Sequence, residues 1–271
     1  MDSKYFFEQL WQNYTAITPS AEKVKTLFEN KGDTVFNDHI ALRTFNDPRV
    51  NIEVLSRPFL TMGYEAKGEY HFKAKKLYAK HFEHKTDANA PKIFISELLL
   101  EEVSLALHSS IQKILDQVNP TVFEAEDLVL KGRVWEKPVY AVYEKFLAES
   151  EYAAWMYVNG FCSNHFTVDV NKLKSFDTLS EVNEFLKLCG FKMNTSGGEI
   201  KGNSSLYLEQ SSILADTIDV AFEEKTRKIT SCYYEFAFRY AKEDGSLFTG
   251  FVANSADKIF ESTDMELQKT S

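Results

Sequence analysis

In a chain of 271 residues, three short runs hold the residue types that could do chemistry: Asp38-His39-Ile40-Ala41-Leu42-Arg43, Asn164-His165-Phe166-Thr167 and Tyr233-Tyr234-Glu235-Phe236. Read as strands, their side chains alternate between faces, so His39, Ala41, Arg43 and Phe45 look one way, and His165, Thr167 and Asp169 share a face of their own. An imidazole and a guanidinium on one line offer a metal ligand and an anion clamp for whatever the metal holds. The bland reading is an edge strand with a satisfied histidine and a solvated arginine. His39, His165 and Glu235 together would supply two imidazoles and one carboxylate with open positions opposite them, the facial set used by non-haem Fe(II) oxygenases. Zn, Mn or Ni fit the same ligands, so the set names a site better than it names a metal. Glu235 also calls for a cation, because a lone carboxylate between tyrosines in an apolar strand is costly to bury. A metal would serve, and so would Arg239 on the same face.

Positioning these groups falls to an internal repeat. His39 precedes a stop at Gly63-Tyr64 by 24 residues, and His165 precedes a stop at Gly190-Phe191 by 25. Helical spacing fills both intervals, with Ile52, Leu55 and Phe59 in the first and Val182, Phe185, Leu186 and Cys189 in the second. Each half reads as strand, helix and three extended segments. The fold expected is therefore α+β, with two β-α-β-β-β modules facing each other across the site. A single domain divides into N-terminal helices (1–32), the first module (33–100), a helical connection (101–160), the second module (161–240) and a tail (241–271) whose polar end reads as frayed. Lys92 to Leu100 and Thr230 to Tyr240 read as the closing strands of the two modules. Both closing strands contain an acid, which makes Glu97 the counterpart of Glu235. Glu97 is read as an outer acceptor for a ligand histidine, with a fourth ligand or a site lost in duplication as alternatives. Gln210 and Ser212, on one face of an extended segment, are candidates to line the pocket. His81 and His84 fall on opposite faces of a polar segment and read as solvated.

Composition narrows the classes. Lys and Arg number 31 against 40 Asp and Glu, a net charge of -9, which is the reverse of a nucleic-acid footprint. No apolar run reaches the ~18 residues of a membrane span, and Met1-Asp2-Ser3-Lys4 does not open a signal peptide, so no membrane partner and a cytoplasmic location are expected. Cys162, Cys189 and Cys232 lack C-x-x-C spacing and read as buried thiols.

The Asp38 to Phe45 strand, Asn164 to Thr167, Gln210-Ser211-Ser212 and Tyr233 to Ala237, in that order and spacing, resemble the 2-oxoadipate dioxygenase/decarboxylase family. The resemblance implies a fold similar to the vicinal-oxygen-chelate enzymes, and Fe(II) held by His39, His165 and Glu235 with no organic cofactor. Arg43 matches the family's arginine for substrate carboxylate. The implied reaction takes 2-oxoadipate and O2 to 2-hydroxyglutarate and CO2, a step in lysine breakdown. The resemblance implies longer members, part of whose substrate pocket comes from C-terminal sequence that this chain is expected to lack. Two other readings compete: a non-redox lyase, isomerase or hydrolase of glyoxalase type with Glu97 as a fourth ligand, and a binding protein without chemistry. Oligomeric state is left open by the sequence.

Overall fold

Apolar spacing explains the two helices that open the chain. α1 (Ser3–Ile17) buries Phe6, Leu10 and Tyr14 on one stripe. α2 (Pro19–Asn30) begins on a proline, whose missing N–H would have no partner in a first turn anyway. The computed structural model describes residues 3–252 and Lys258; apart from Lys258, the polar end expected beyond residue 252 lies outside the described residues.

The first module follows as β1 (Asn37–Phe45), α3 (Ile52–Thr61), β2 (Tyr64–Phe72), β3 (Leu77–His84) and β4 (Lys92–Leu98). Four helices come next: α4 (Leu105–Asp116), α5 (Pro120–Phe123), α6 (Tyr140–Glu149) and α7 (Glu151–Asn159). The second module contains β5 (Ser163–Asp169), α8 (Leu179–Leu188), β6 (Lys201–Asn203), β7 (Leu208–Ser212), the hairpin β8 (Thr217–Ala221) and β9 (Thr226–Thr230), and finally β10 (Glu235–Arg239).

All strands except the hairpin join one eight-stranded sheet in the order β2-β3-β4-β1-β5-β10-β7-β6. β1 is parallel to β4, β5 is parallel to β10, and β1 meets β5 antiparallel at the centre. The pairing is symmetric about that junction. His39 lies opposite Thr167, two residues past His165, while Ala41, two residues past His39, lies opposite His165. A local two-fold therefore relates the modules, and the curl of the sheet turns their inner faces toward each other. Further matched features support the repeat. α3 and α8 each stop at a glycine with positive φ, +97° at Gly63 and +88° at Gly190. The β2–β3 and β6–β7 connections each pass through a left-handed residue, Lys76 and Tyr207.

Helices cover the outer face of the sheet. Phe166 meets the rings of Tyr14 at 4.9 Å and Trp11 at 5.1 Å, and Phe28 of α2 meets Phe236 at 6.1 Å. Alternation then commits His39, Arg43, His165 and Glu235 to the inner face.

Three local expectations are corrected. The run from Thr230 to Tyr240 is not one strand: β9 ends at Thr230 and β10 begins at Glu235, because the intervening backbone pairs with residues 213–216 instead. The second module also carries the extra β8–β9 hairpin, whose turn holds Phe222 with its ring packed on Tyr140 and Tyr143. Cys189 is exposed at the end of α8, whereas Cys162 and Cys232 are buried.

Candidate metal centre

Each histidine at the centre sits beside an irregularity in its strand. The β1–β5 ladder shifts register between Asn37 and His39, and again at Ala41/Leu42 opposite Asn164. A bulge re-aims a side chain that regular alternation would send to the other face. The two re-aimed residues are Asp38 and Asn164, related by the local two-fold. His39 Nδ1 is 2.7 Å from Asp38 Oδ1, and His165 Nδ1 is 3.0 Å from Asn164 Oδ1. With Nδ1–H donated to an oxygen, each ring turns its Nε2 lone pair inward.

Glu235 completes the group from β10, where it pairs with Thr167. Its Oε1 lies 3.6 Å from His39 Nε2, and its Oε2 lies 3.1 Å from His165 Nε2. Gln210 Nε2 donates to Oε1 at 2.6 Å, and the Thr167 hydroxyl donates to His39 Nε2 at 3.0 Å. His39, His165 and Glu235 are buried, and their ligand atoms lie within 4.8 Å of one another. Burial pushes the Glu235 carboxyl up to about 8. Burial also lowers both imidazoles, helped at His165 by neighbouring His39 and Arg43 and opposed at His39 by Asp38.

The donor set fits a divalent cation. Glu235 Oε2 has no hydrogen-bond partner among the described residues, yet it faces the lone pair of His165 Nε2 across 3.1 Å. Two acceptors at that distance repel unless a proton or a metal lies between them. Arg239 does not neutralise Glu235. Its Nε and Nη2 grip Asp38 at 2.6 and 2.9 Å, so it acts on His39 through the residue that orients it.

Glu97 is not brought to the histidines. Glu235 pairs with the residue two past His165, and the first-module residue that pairs two past His39 is Phe94, opposite Ala41. Glu97 pairs with Thr44 further along β4, and its Oε2 accepts the Ile52 N–H at 2.9 Å at the start of α3. The outer acceptor expected of Glu97 is supplied for His39 by Asp38. A fourth ligand from Glu97 is equally excluded by that geometry.

Arg43 is buried, with its guanidinium 4.8 Å from the Tyr152 ring centre and 5.0 Å from that of Trp155. Nη1 donates to Glu151 Oε1 at 3.2 Å, and Nη2 and Nε make no hydrogen bond among the described residues. Arg43 also lines a cavity of about 170 Å³ with Lys75, Lys76 and Glu151. Gln210 and Ser212 lie opposite Ala237 and Glu235 on the inner face, Gln210 as a partner of the carboxylate itself.

Sequence reading missed several neighbours. Asp38 and Asn164 were given no role, since an unbroken alternation points them away from the histidines; the paired Asp-His and Asn-His steps were the available signal. Tyr233, which alternation does place on the face of Glu235, stacks on His165 at 4.8 Å, whereas Phe251, given no role by the sequence, stands edge-on to His39 at 4.8 Å. His81, expected to be solvated, is buried; Tyr70 Oη lies 2.8 Å from its Nδ1 and Glu83 Oε1 3.0 Å from its Nε2.

Comparison with known proteins bears on this geometry. A family model described as 2-oxoadipate dioxygenase/decarboxylase matches residues 8–246. The chain is 34% identical to a chloroplastic 2-oxoadipate dioxygenase/decarboxylase of Arabidopsis thaliana, over 93% of this chain and 75% of that one. A hydroxyglutarate synthase from Oryza sativa, solved in complex with 2-oxoadipate, superposes with a TM-score of 0.91 at 33% identity, covering 98% of this chain and 93% of its own. A structure from Shewanella frigidimarina named as a hydrolase gives 0.88 at 48% identity, covering 93% and 98%. A glyoxalase-superfamily structure from Ralstonia eutropha, with a TM-score of 0.75 at 20% identity over 90% of this chain and 83% of its own, shares the fold.

Proposed function

The chain belongs to the 2-oxoadipate dioxygenase/decarboxylase family, and from that premise we propose that it converts 2-oxoadipate and O2 to 2-hydroxyglutarate and CO2 at Fe(II) held by His39, His165 and Glu235. The observation that carries this reading is the buried Glu235 Oε2, partnerless and 3.1 Å from His165 Nε2. When bound, Fe(II) supplies neighbouring positions where a 2-oxo acid and O2 can meet.

The protein's own groups do the rest. Asp38 and Asn164 hold the two imidazoles in the tautomer that presents Nε2. Gln210 fixes one oxygen of Glu235 and leaves the other to the metal. Arg43, pinned between Tyr152 and Trp155 with Nη2 and Nε open, receives the substrate's distal carboxylate as a fork. Gln210 and Ser212 line the site on the second module's side. Burial of the whole group excludes water and strengthens each of these contacts. No helix among the described residues is long and apolar enough to cross a membrane. The Arabidopsis relative is named as chloroplastic; for this chain we propose the cytoplasm.

O2 uptake tests the reading. Metal-free protein is reconstituted anaerobically with Fe(II) or Zn(II) and given 2-oxoadipate. Equal O2 consumption and CO2 release with Fe(II) alone is expected. Arg43→Ala should raise KM for 2-oxoadipate by roughly 10- to 100-fold, the value of a charge-assisted hydrogen bond, and raise it far less for a monocarboxylic 2-oxo acid. No uptake with any 2-oxo acid, despite bound iron, would overturn the proposal.

A further inference from the structure

The two sides of the metal group are built from different material. On the second module's side stand Glu235, Gln210 and Tyr233. On the first module's side, Phe94 fills the slot equivalent to Glu235, and a ring from far along the chain packs over it. That ring is Phe251, which is buried, 4.8 Å from His39, 5.0 Å from Phe94, 5.3 Å from His81 and 6.0 Å from Tyr70 between ring centres.

Its seat is specific. Arg239, while holding Asp38, donates through Nη1 to the carbonyls of Phe248 (3.0 Å) and Gly250 (2.8 Å). The Phe251 N–H donates to the Tyr70 hydroxyl at 3.2 Å, and that hydroxyl is held by the buried His81. Room for the Tyr70–His81 pair depends on Gly68, where a Cβ would fall 2.8 Å from the Tyr70 oxygen and 2.9 Å from His81 Nδ1. One guanidinium thus ties the segment carrying Phe251 to the residue that orients a metal ligand.

We infer that Phe251 determines which 2-oxo acids the site admits, passing an unbranched carbon chain and excluding a branched or aromatic one. The inference rests on the proposed function for its substrate class. The apolar faces of Phe251 and Phe94 beside His39 suit methylene groups, whereas the polar side is occupied by the partners of Glu235. The Arg239 guanidinium lies 5.3 Å from the Phe251 ring centre, but it holds Asp38 through Nε and Nη2 and not through that ring, so the effect of Phe251 on the metal itself is small.

The test is calorimetric and needs no turnover. Zn(II)-loaded wild type, Phe251→Ala and Phe251→Leu are titrated with 2-oxoadipate and with phenylpyruvate. In wild type 2-oxoadipate binds far tighter. In Phe251→Ala the ratio of the two dissociation constants should shift toward phenylpyruvate by at least ~10-fold, the scale of discrimination a pocket's apolar wall provides. Phe251→Leu, which keeps an apolar filler, should shift it less, and Zn(II) affinity should change by less than about threefold, below the effect of an outer-shell partner. An unchanged ratio in both variants overturns this inference while leaving the proposed function standing. Zinc-loaded wild type that binds neither acid overturns both.

Discussion

Positions related by the two-fold between β1 and β5 can be matched one against another. His39 corresponds to His165, and Asp38 to Asn164, each holding Nδ1 of the histidine that follows it. Beyond that pair the halves diverge: Ala41 corresponds to Thr167, Arg43 to Asp169 and Phe94 to Glu235. Repetition supplies two neutral imidazoles, and divergence supplies a single carboxylate. A divalent cation held by that set keeps a net positive charge and open positions, both of which an anionic 2-oxo acid needs. A second acid in place of Phe94 would remove the charge and take up a position. The unlike pair Phe94 and Glu235 therefore matters to function as much as the like pair His39 and His165.

The largest effects are expected at the two histidines. His39→Ala and His165→Ala should each weaken metal binding by more than about 100-fold, beyond the range typical of outer-shell changes. Metal titration of the folded variants checks this, and a large loss in one with little in the other would mean that the site is not shared by both modules.

A sharper contrast lies behind them. Asp38→Asn leaves an acceptor for His39 but strips Arg239 of its buried counter-charge. It should lower metal affinity by about 10- to 100-fold and destabilise the fold by roughly 3–5 kcal/mol. Asn164→Ala disturbs no ion pair, so its loss of affinity should lie at the low end of that range, about 10-fold, with little change in melting. Equal effects on both properties would erase the distinction drawn between the halves.

The smallest effect is a pH slope. Burial holds the Glu235 carboxyl at about 8 in the metal-free protein, against an ordinary 4.5. Between these values the folded chain keeps a proton that the unfolded chain has lost, so stability falls as pH rises. Below about 6.5 the two histidines, lowered by burial, act in the opposite sense. The window for Glu235 alone is therefore pH 7 to 8, and the loss there is roughly 1 kcal/mol. Urea melts across that window should show the slope without metal and lose it with metal, since metal takes the place of the proton.

What the sequence made legible follows from how each feature is encoded. The repeat shows in spacing because Gly63 and Gly190 stop equivalent helices with backbone that other residues rarely adopt. His39, His165 and Glu235 stand out because their residue types are costly in an apolar strand without a partner. Glu97 misled because an acid within a closing strand says nothing of register, and a shift of three positions along β4 places it beneath α3 rather than beside a histidine. Asp38 and Asn164 were hidden by bulges, which no alternation pattern reports. His81 looked solvated from its charged neighbours, and its burial comes partly from Phe251, remote in sequence.

Metal content of three proteins shows which module supplies the carboxylate ligand. Wild type, Glu97→Gln and Glu235→Gln are loaded anaerobically with Fe(II), dialysed and analysed for iron per chain. One iron is expected in wild type and in Glu97→Gln, and almost none in Glu235→Gln. Iron lost from Glu97→Gln, or kept in Glu235→Gln, would contradict the assignment of the carboxylate ligand to the second module.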